Sequence, residues 1–124
     1  MFNGREAVVL TIWEPAAAQT GLANRLAGYT EEARVLDGQA EQWAEETAQH
    51  GAELAQRAGL KPRAEVRSSE GRSLWHVVVE VADAEEAAAI VLGARGLSPL
   101  RSMVLGSVSY AVVQHSERPV VTVR

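Results

Sequence analysis

Apolar residues arrive in short bursts along this chain, and their spacing changes from one burst to the next. Residues 7–13, AVVLTIW, are almost continuously apolar, rich in branched side chains and closed by Glu14-Pro15. Such a run suits a strand buried on both faces, as in a parallel sheet. Residues 16–36 keep no clean period: Leu22, Leu26 and Tyr29 sketch a helical face that Gly21 and Gly28 weaken, so the stretch reads as a mobile connection. After Asp37, a residue suited to capping, Ala40, Trp43, Ala44, Thr47, Gly51, Leu54, Ala55 and Ala58 form one helical stripe. Glu41, Glu45, Glu46, Gln49, Glu53 and Gln56 fill the opposite face, and Gly59-Leu60-Lys61-Pro62 supplies the stop.

Downstream the period changes. Residues 64–67 alternate apolar and charged, as an edge strand would, before a turn at Ser69-Glu70-Gly71. Residues 74–82, LWHVVVEVA, carry a conflict: four valines favour a strand, yet Leu74, Val77, Val78 and Val81 share a helical face. A helix is preferred, because parallel strands on either side need a crossover and this segment is the one available. Residues 87–92 then form a buried strand, residues 106–116 a helix, and residues 120–123 a last strand after Pro119. The alternation predicts an α/β protein with a doubly wound, mostly parallel, Rossmann-like sheet.

A chain of 124 residues suits one domain, since a single core of that size buries about two thirds of the surface its unfolded chain exposes. A net charge of −4 offers no basic footprint for nucleic acid. Without cysteine there is no disulfide, thiolate or zinc-thiolate chemistry. No apolar run reaches the roughly 18 to 20 residues a membrane span requires, and the start lacks a basic region followed by a long apolar stretch. A soluble, untargeted, cytoplasmic protein is expected.

Candidate chemistry concentrates in GARGLSPLRSMVLGSVS, spaced Gly93-x2-Gly96-x9-Gly106-Ser107. In open α/β sheets ligands lie beyond the carboxyl ends of strands, where Gly93 falls. Glycine lets a ligand approach the main chain, and a helix opening at Gly106-Ser107 would present unpaired N–H groups and its positive dipole end to phosphate. Ser107 and Ser109 add hydroxyl donors and Arg95 a guanidinium. The pattern is neither GxxxxGK[ST] nor GxGxxG.

This spacing, the stretch VLGARG and the ending SERPVVTVR together resemble the carboxyl half of a universal stress protein, in close register from about Ala87 to Arg124. Further back the likeness continues to Ala7, where VVLTIWEP resembles the family's second strand. The resemblance implies an adenine nucleotide alpha hydrolase-like sheet ordered 3-2-1-4-5, frequent dimers and, in one branch, ATP, with Mg²⁺ as its companion. By position, Gly93 and Gly96 would lie along the ribose and phosphates, and Gly106, Ser107 and Val108 would offer main-chain N–H groups. Leu92 and Arg95 would flank the nucleotide, and Ile12 would sit near adenine. Family members begin with a central strand ending in an acidic residue and a first helix, and this sequence starts about where the second strand should. The apolar edges thus expected, at residues 7–13 and 87–92, would pair with each other or be filled by a second chain; the last strand is a second candidate for homodimer contact.

The remaining chemistry is thin. His50 lies on a polar helix face, and His76 and His115 have no partner at metal-ligand spacing. Trp13, Trp43 and Trp75 read as packing residues, and Asp83, Glu85 and Glu86 as a helix end and turn. No nucleophile elbow is present. The expectation is a nucleotide-binding module of the stress-protein type, not an enzyme, which associates with partners; the rival reading is a nucleotide-free homodimer acting through protein contacts alone.

Overall fold

The computed structural model describes residues 4–16, 30–93 and 106–123. Among the described residues seven elements follow in alternating order: β1 (Glu6–Trp13), α1 (Glu31–Arg57), β2 (Lys61–Ser68), α2 (Leu74–Ala84), β3 (Ile90–Gly93), α3 (Ser107–His115) and β4 (Val120–Val123). They fall into two compact units, Met1–Gly71 and Arg72–Arg124. Each is built around a parallel strand pair whose partners are joined through a helix. Among the described residues the ladders are β1 with β2 and β3 with β4; the direct pairing expected between residues 7–13 and 87–92 is not among them.

In the first unit, β1 and β2 run parallel in unbroken register from Glu6 opposite Lys61 to Trp13 opposite Ser68. Residues 64–67 therefore belong to a longer, fully paired strand. By the strand period, Arg63, Glu65 and Arg67 share a face. The Glu65 carboxylate lies between the two guanidiniums, 2.6 Å from Arg63 and 2.8 Å from Arg67.

The crossover α1 packs on both strands through a run of small residues, with Ala44, Ala48 and Ala52 buried. Gly51 belongs to that run for a steric reason: a Cβ there would meet Val9 Cγ1 at 2.8 Å. The helix starts earlier than its apolar stripe suggests. Thr30 is the N-cap, its hydroxyl accepting from Ala33 N–H at 3.0 Å, and residues 31–36, expected to be a loose connection, are helical; residues 17–29 of that connection lie outside the described residues. Asp37, expected to cap, sits inside the helix and accepts a 2.7 Å bond from Ala16 N–H. Arg34 hydrogen-bonds Glu31 in the first turn and holds its carboxyl below the ordinary value. The helix ends as the sequence signals. Gly59 takes a φ of +96°, its N–H bonds Gln56, and Leu60 N–H reaches Ala55 at 3.0 Å, a Schellman closure in which glycine avoids the Cβ penalty.

In the second unit, α2 resolves the valine conflict in favour of helix. Val77, Val81 and Ala82 are buried along one side, as a helical stripe requires and an alternating strand does not. The strand expected at residues 87–92 is shorter, starting at Ile90. Glu85 closes α2, Glu86 takes a φ of +51°, and Ala87 N–H still bonds Ala82, so the alanines finish a turn. β3 and β4 pair in parallel from Ile90 opposite Val120 to Gly93 opposite Val123. Ala82, Ile90 and Val112 form the core, with Trp75, Val78, Leu92, Val108 and Val120 packed around it. Trp75 stacks on His115 with ring centroids 4.0 Å apart, so this histidine joins α2 to α3. Arg118 closes the unit, donating to the Asp83 carboxylate at 3.1 Å and the Ala87 carbonyl at 2.6 Å.

Candidate functional site

Gly93 is the last residue of β3 and is exposed. Gly106 is the N-cap of α3, with φ −61° and ψ 159°, and it supplies no side chain to cap the helix. The first intrahelical bond runs from Tyr110 N–H to the Gly106 carbonyl, so the N–H groups of Ser107, Val108 and Ser109 precede the helical ladder, where backbone donors are left over and the dipole is positive.

The two ends of the glycine motif are tied together. Ser109 Oγ donates to the Gly93 carbonyl at 2.6 Å across 16 positions of sequence. Its side chain is 5% exposed. Ser109, expected to offer its hydroxyl to phosphate, instead spends that proton on the strand end and fixes where α3 begins relative to β3. The signal was in the sequence: Ser109 is three residues before Val112 and shares its inward face, whereas Ser107 falls outside that face and is exposed.

Of the other expected site residues, Leu92 and Val108 are half-buried and pack against the unit's apolar core. Arg95 and Gly96 lie outside the described residues. Ile12 is half-buried near the end of β1, opposite Arg67 in the ladder of the first unit. A Cβ added at Gly93 would meet nothing within 4 Å, so this glycine, unlike Gly51, answers no packing demand among the described residues. In α/β folds a helix start without a side-chain cap, beside a strand's carboxyl end, is where anions are held.

Parallel strands connected through helices define a Rossmann-like α/β fold. The family model of the universal stress protein family matches residues 2–124, and the chain belongs to that family. The fold is similar to the solved structure of hypothetical protein MJ0577, with a TM-score of 0.76 at 20% identity over 99% of this chain and 78% of that one. It is also similar to hypothetical protein PH0823, with a TM-score of 0.69 at 23% identity over 98% and 77%. The universal stress protein from Archaeoglobus fulgidus follows with a TM-score of 0.57 at 21% identity over 94% and 76%. At these identities the likeness is one of fold. No curated protein matches the sequence.

No helix among the described residues is long and apolar enough to cross a membrane. No group of three or more histidine, aspartate or glutamate side chains among the described residues is arranged to hold a metal ion.

Proposed function

We propose that this chain is an adenine-nucleotide-binding module of the stress-protein type, acting in the cytoplasm, with the phosphates of ATP seated between Gly93 and the start of α3. One observation carries the reading: the Ser109–Gly93 hydrogen bond at 2.6 Å brings the first and last glycines of the family-like motif to one place, next to leftover N–H donors. Gly106, Ser107 and Val108 would present their N–H groups to the phosphate oxygens, and the Ser107 hydroxyl, exposed at the first helical position, would add a donor. Bonds to an ionised acceptor are about twice as strong as neutral ones.

Arg95 and Gly96, by their place in the motif, would complete the phosphate and ribose contacts, and Leu92 would line the passage. Mg²⁺, where present, would arrive with the nucleotide and neutralise part of its charge. The module binds and does not catalyse: occupancy biases its association with partners, a second copy of the chain among them.

Isothermal titration with ATP and Mg²⁺ tests the proposal. Heat of binding together with a ligand-dependent rise in melting temperature is expected, because a ligand that binds only the folded state stabilises it by mass action. No heat and no thermal shift at millimolar nucleotide would refute it and leave the nucleotide-free homodimer as the reading.

A further inference from the structure

Negative charge in this chain is gathered on α1. The helix holds seven acidic residues and two arginines, a net charge of −5 against −4 for the whole chain, which leaves +1 for everything outside it. The same helix exposes large apolar side chains: Leu36, Trp43 and Leu54 are 54%, 48% and 50% exposed. At roughly 3.6 residues per turn these three fall within about 20° of one another around the helix axis. Glu32, Glu46 and Glu53 recur at multiples of seven positions, and so stand along the flank of this row that faces away from the buried Ala44, Ala48 and Ala52. Single exposed apolar side chains need no explanation; a row of them aligned on one helix and edged by carboxylates does.

We infer that this face of α1 is a docking surface for a basic amphipathic helix of another protein, whose apolar stripe lies on Leu36, Trp43 and Leu54 and whose Lys or Arg residues meet Glu32, Glu46 and Glu53. Charge selects the occupant. Where two helices pair, the apolar row supplies the contact and the charges beside it choose the partner. A second copy of α1 would set a net charge of −5 against −5, and any other acidic segment would meet the same repulsion. A cationic helix is drawn in, and complementary charge speeds the encounter and fixes the register. Thr47 and His50 lie on the same face between the apolar residues, so the apolar contact is modest and the charges carry much of the attraction, which makes the binding sensitive to salt. None of the residues of the proposed nucleotide site takes part.

The probe is a synthetic helix of about three heptads with leucine at the a and d positions and lysine at e and g, whose like charges keep it from pairing with itself. Fluorescence anisotropy of the labelled peptide reads the binding. The wild type is expected to bind it with a dissociation constant of about 1–100 µM, more weakly as salt rises. It is expected to bind neither the glutamate version nor a lysine peptide of the same composition with its leucines out of register. Leu36→Gln and Leu54→Gln are each expected to weaken binding at least about tenfold while far-UV circular dichroism holds. Glu46→Lys and Glu53→Lys combined in one chain are expected to reverse the preference, from the lysine peptide to the glutamate one, an outcome that a misfolded variant cannot produce. No binding of the lysine peptide would overturn the inference. Equal binding of the out-of-register peptide would overturn it as well, since that is attraction without a docking surface. So would a wild-type dimer, seen by sedimentation equilibrium, that Leu54→Gln turns monomeric, because a second copy would then cover the row. Loss of ATP binding with peptide binding intact would strike the proposed function and leave this surface standing.

Discussion

Gly51→Ala puts one methyl group into the place where α1 crosses β1. The added Cβ would lie 2.8 Å from Val9 Cγ1, about 1 Å inside the roughly 3.5–4.0 Å separation at which carbon atoms attract. Val9 is β-branched and stiff at χ1, so it cannot swing aside as a flexible tip would. Overpacking of one carbon costs about 1–3 kcal/mol. Against that, alanine is favoured over glycine in a helix interior by about 1 kcal/mol. The expected net loss is about 1 kcal/mol, seen as a lower urea midpoint at unchanged slope. The discriminating measurement is a double-mutant cycle. With Val9→Ala already in place the clash is gone, and Gly51→Ala is expected to stabilise by up to about 1 kcal/mol, giving a coupling of about 2 kcal/mol between the two sites. A coupling below about 0.5 kcal/mol would show that α1 does not approach β1 as closely as described, and would remove the steric account of this glycine.

Other consequences are equally concrete. Ser109→Ala deletes the donor to the Gly93 carbonyl in a nearly buried place; it is expected to lower stability by about 1–2 kcal/mol and to weaken ATP binding, with Ser109→Thr recovering both, measured by denaturation and titration. Equal ATP affinity in wild type and alanine variant would remove Ser109 as an organiser of the site. Glu31 titrates low because Arg34 hydrogen-bonds it, so its contribution is present above the ordinary value of 4.5 and is lost as pH falls through the lower folded value. Glu31→Gln is therefore expected to flatten the stability profile in that acid window and to leave its slope near neutrality unchanged, as followed by urea melts across pH.

Local signals in the sequence located most elements and missed the partnerships. The stop of α1 was legible because Gly59 carries a left-handed φ that few residues adopt cheaply. Its start was hidden by Gly21 and Gly28, although Thr30 followed by Glu31 and Glu32 is the composition a helix N-terminus favours. The valine-rich α2 was legible only by weighing period against propensity, and the period won because burial on one side, not branching, decides the state. Residues 87–89 looked like strand because alanine is apolar, but an alanine run says little about where a strand begins, and the left-handed Glu86 decided it. Ladder partners depend on contacts across a crossover helix, which no local window contains; hence β2 was read as an edge strand over residues 64–67 with no partner named, whereas it pairs along the full length of β1. Near the glycine motif, the helix start and the inward face of Ser109 were legible from spacing, while its partner, the Gly93 carbonyl 16 positions away, was not.

Gly51 and Gly93 differ in what an added side chain would meet, and that difference tests the proposed nucleotide site. Gly51 is glycine because a neighbour occupies its Cβ position; at Gly93 that position is open. Gly38 inside α1 is equally open, so the open position marks no ligand by itself; under the proposed function, Gly93 is the one that faces the nucleotide. Gly93→Ala is therefore expected to leave stability unchanged or raise it by up to about 1 kcal/mol, since alanine restricts the unfolded chain more than glycine does. The same methyl would stand where the nucleotide approaches the strand end, and is expected to reduce ATP affinity at least about tenfold, the equivalent of about 1.4 kcal/mol. Thermal melting without ligand and titration with ATP and Mg²⁺ read the two effects apart. A variant as stable as wild type that binds ATP equally well would show that Gly93 does not face the ligand, and would move any nucleotide away from the mouth of β3.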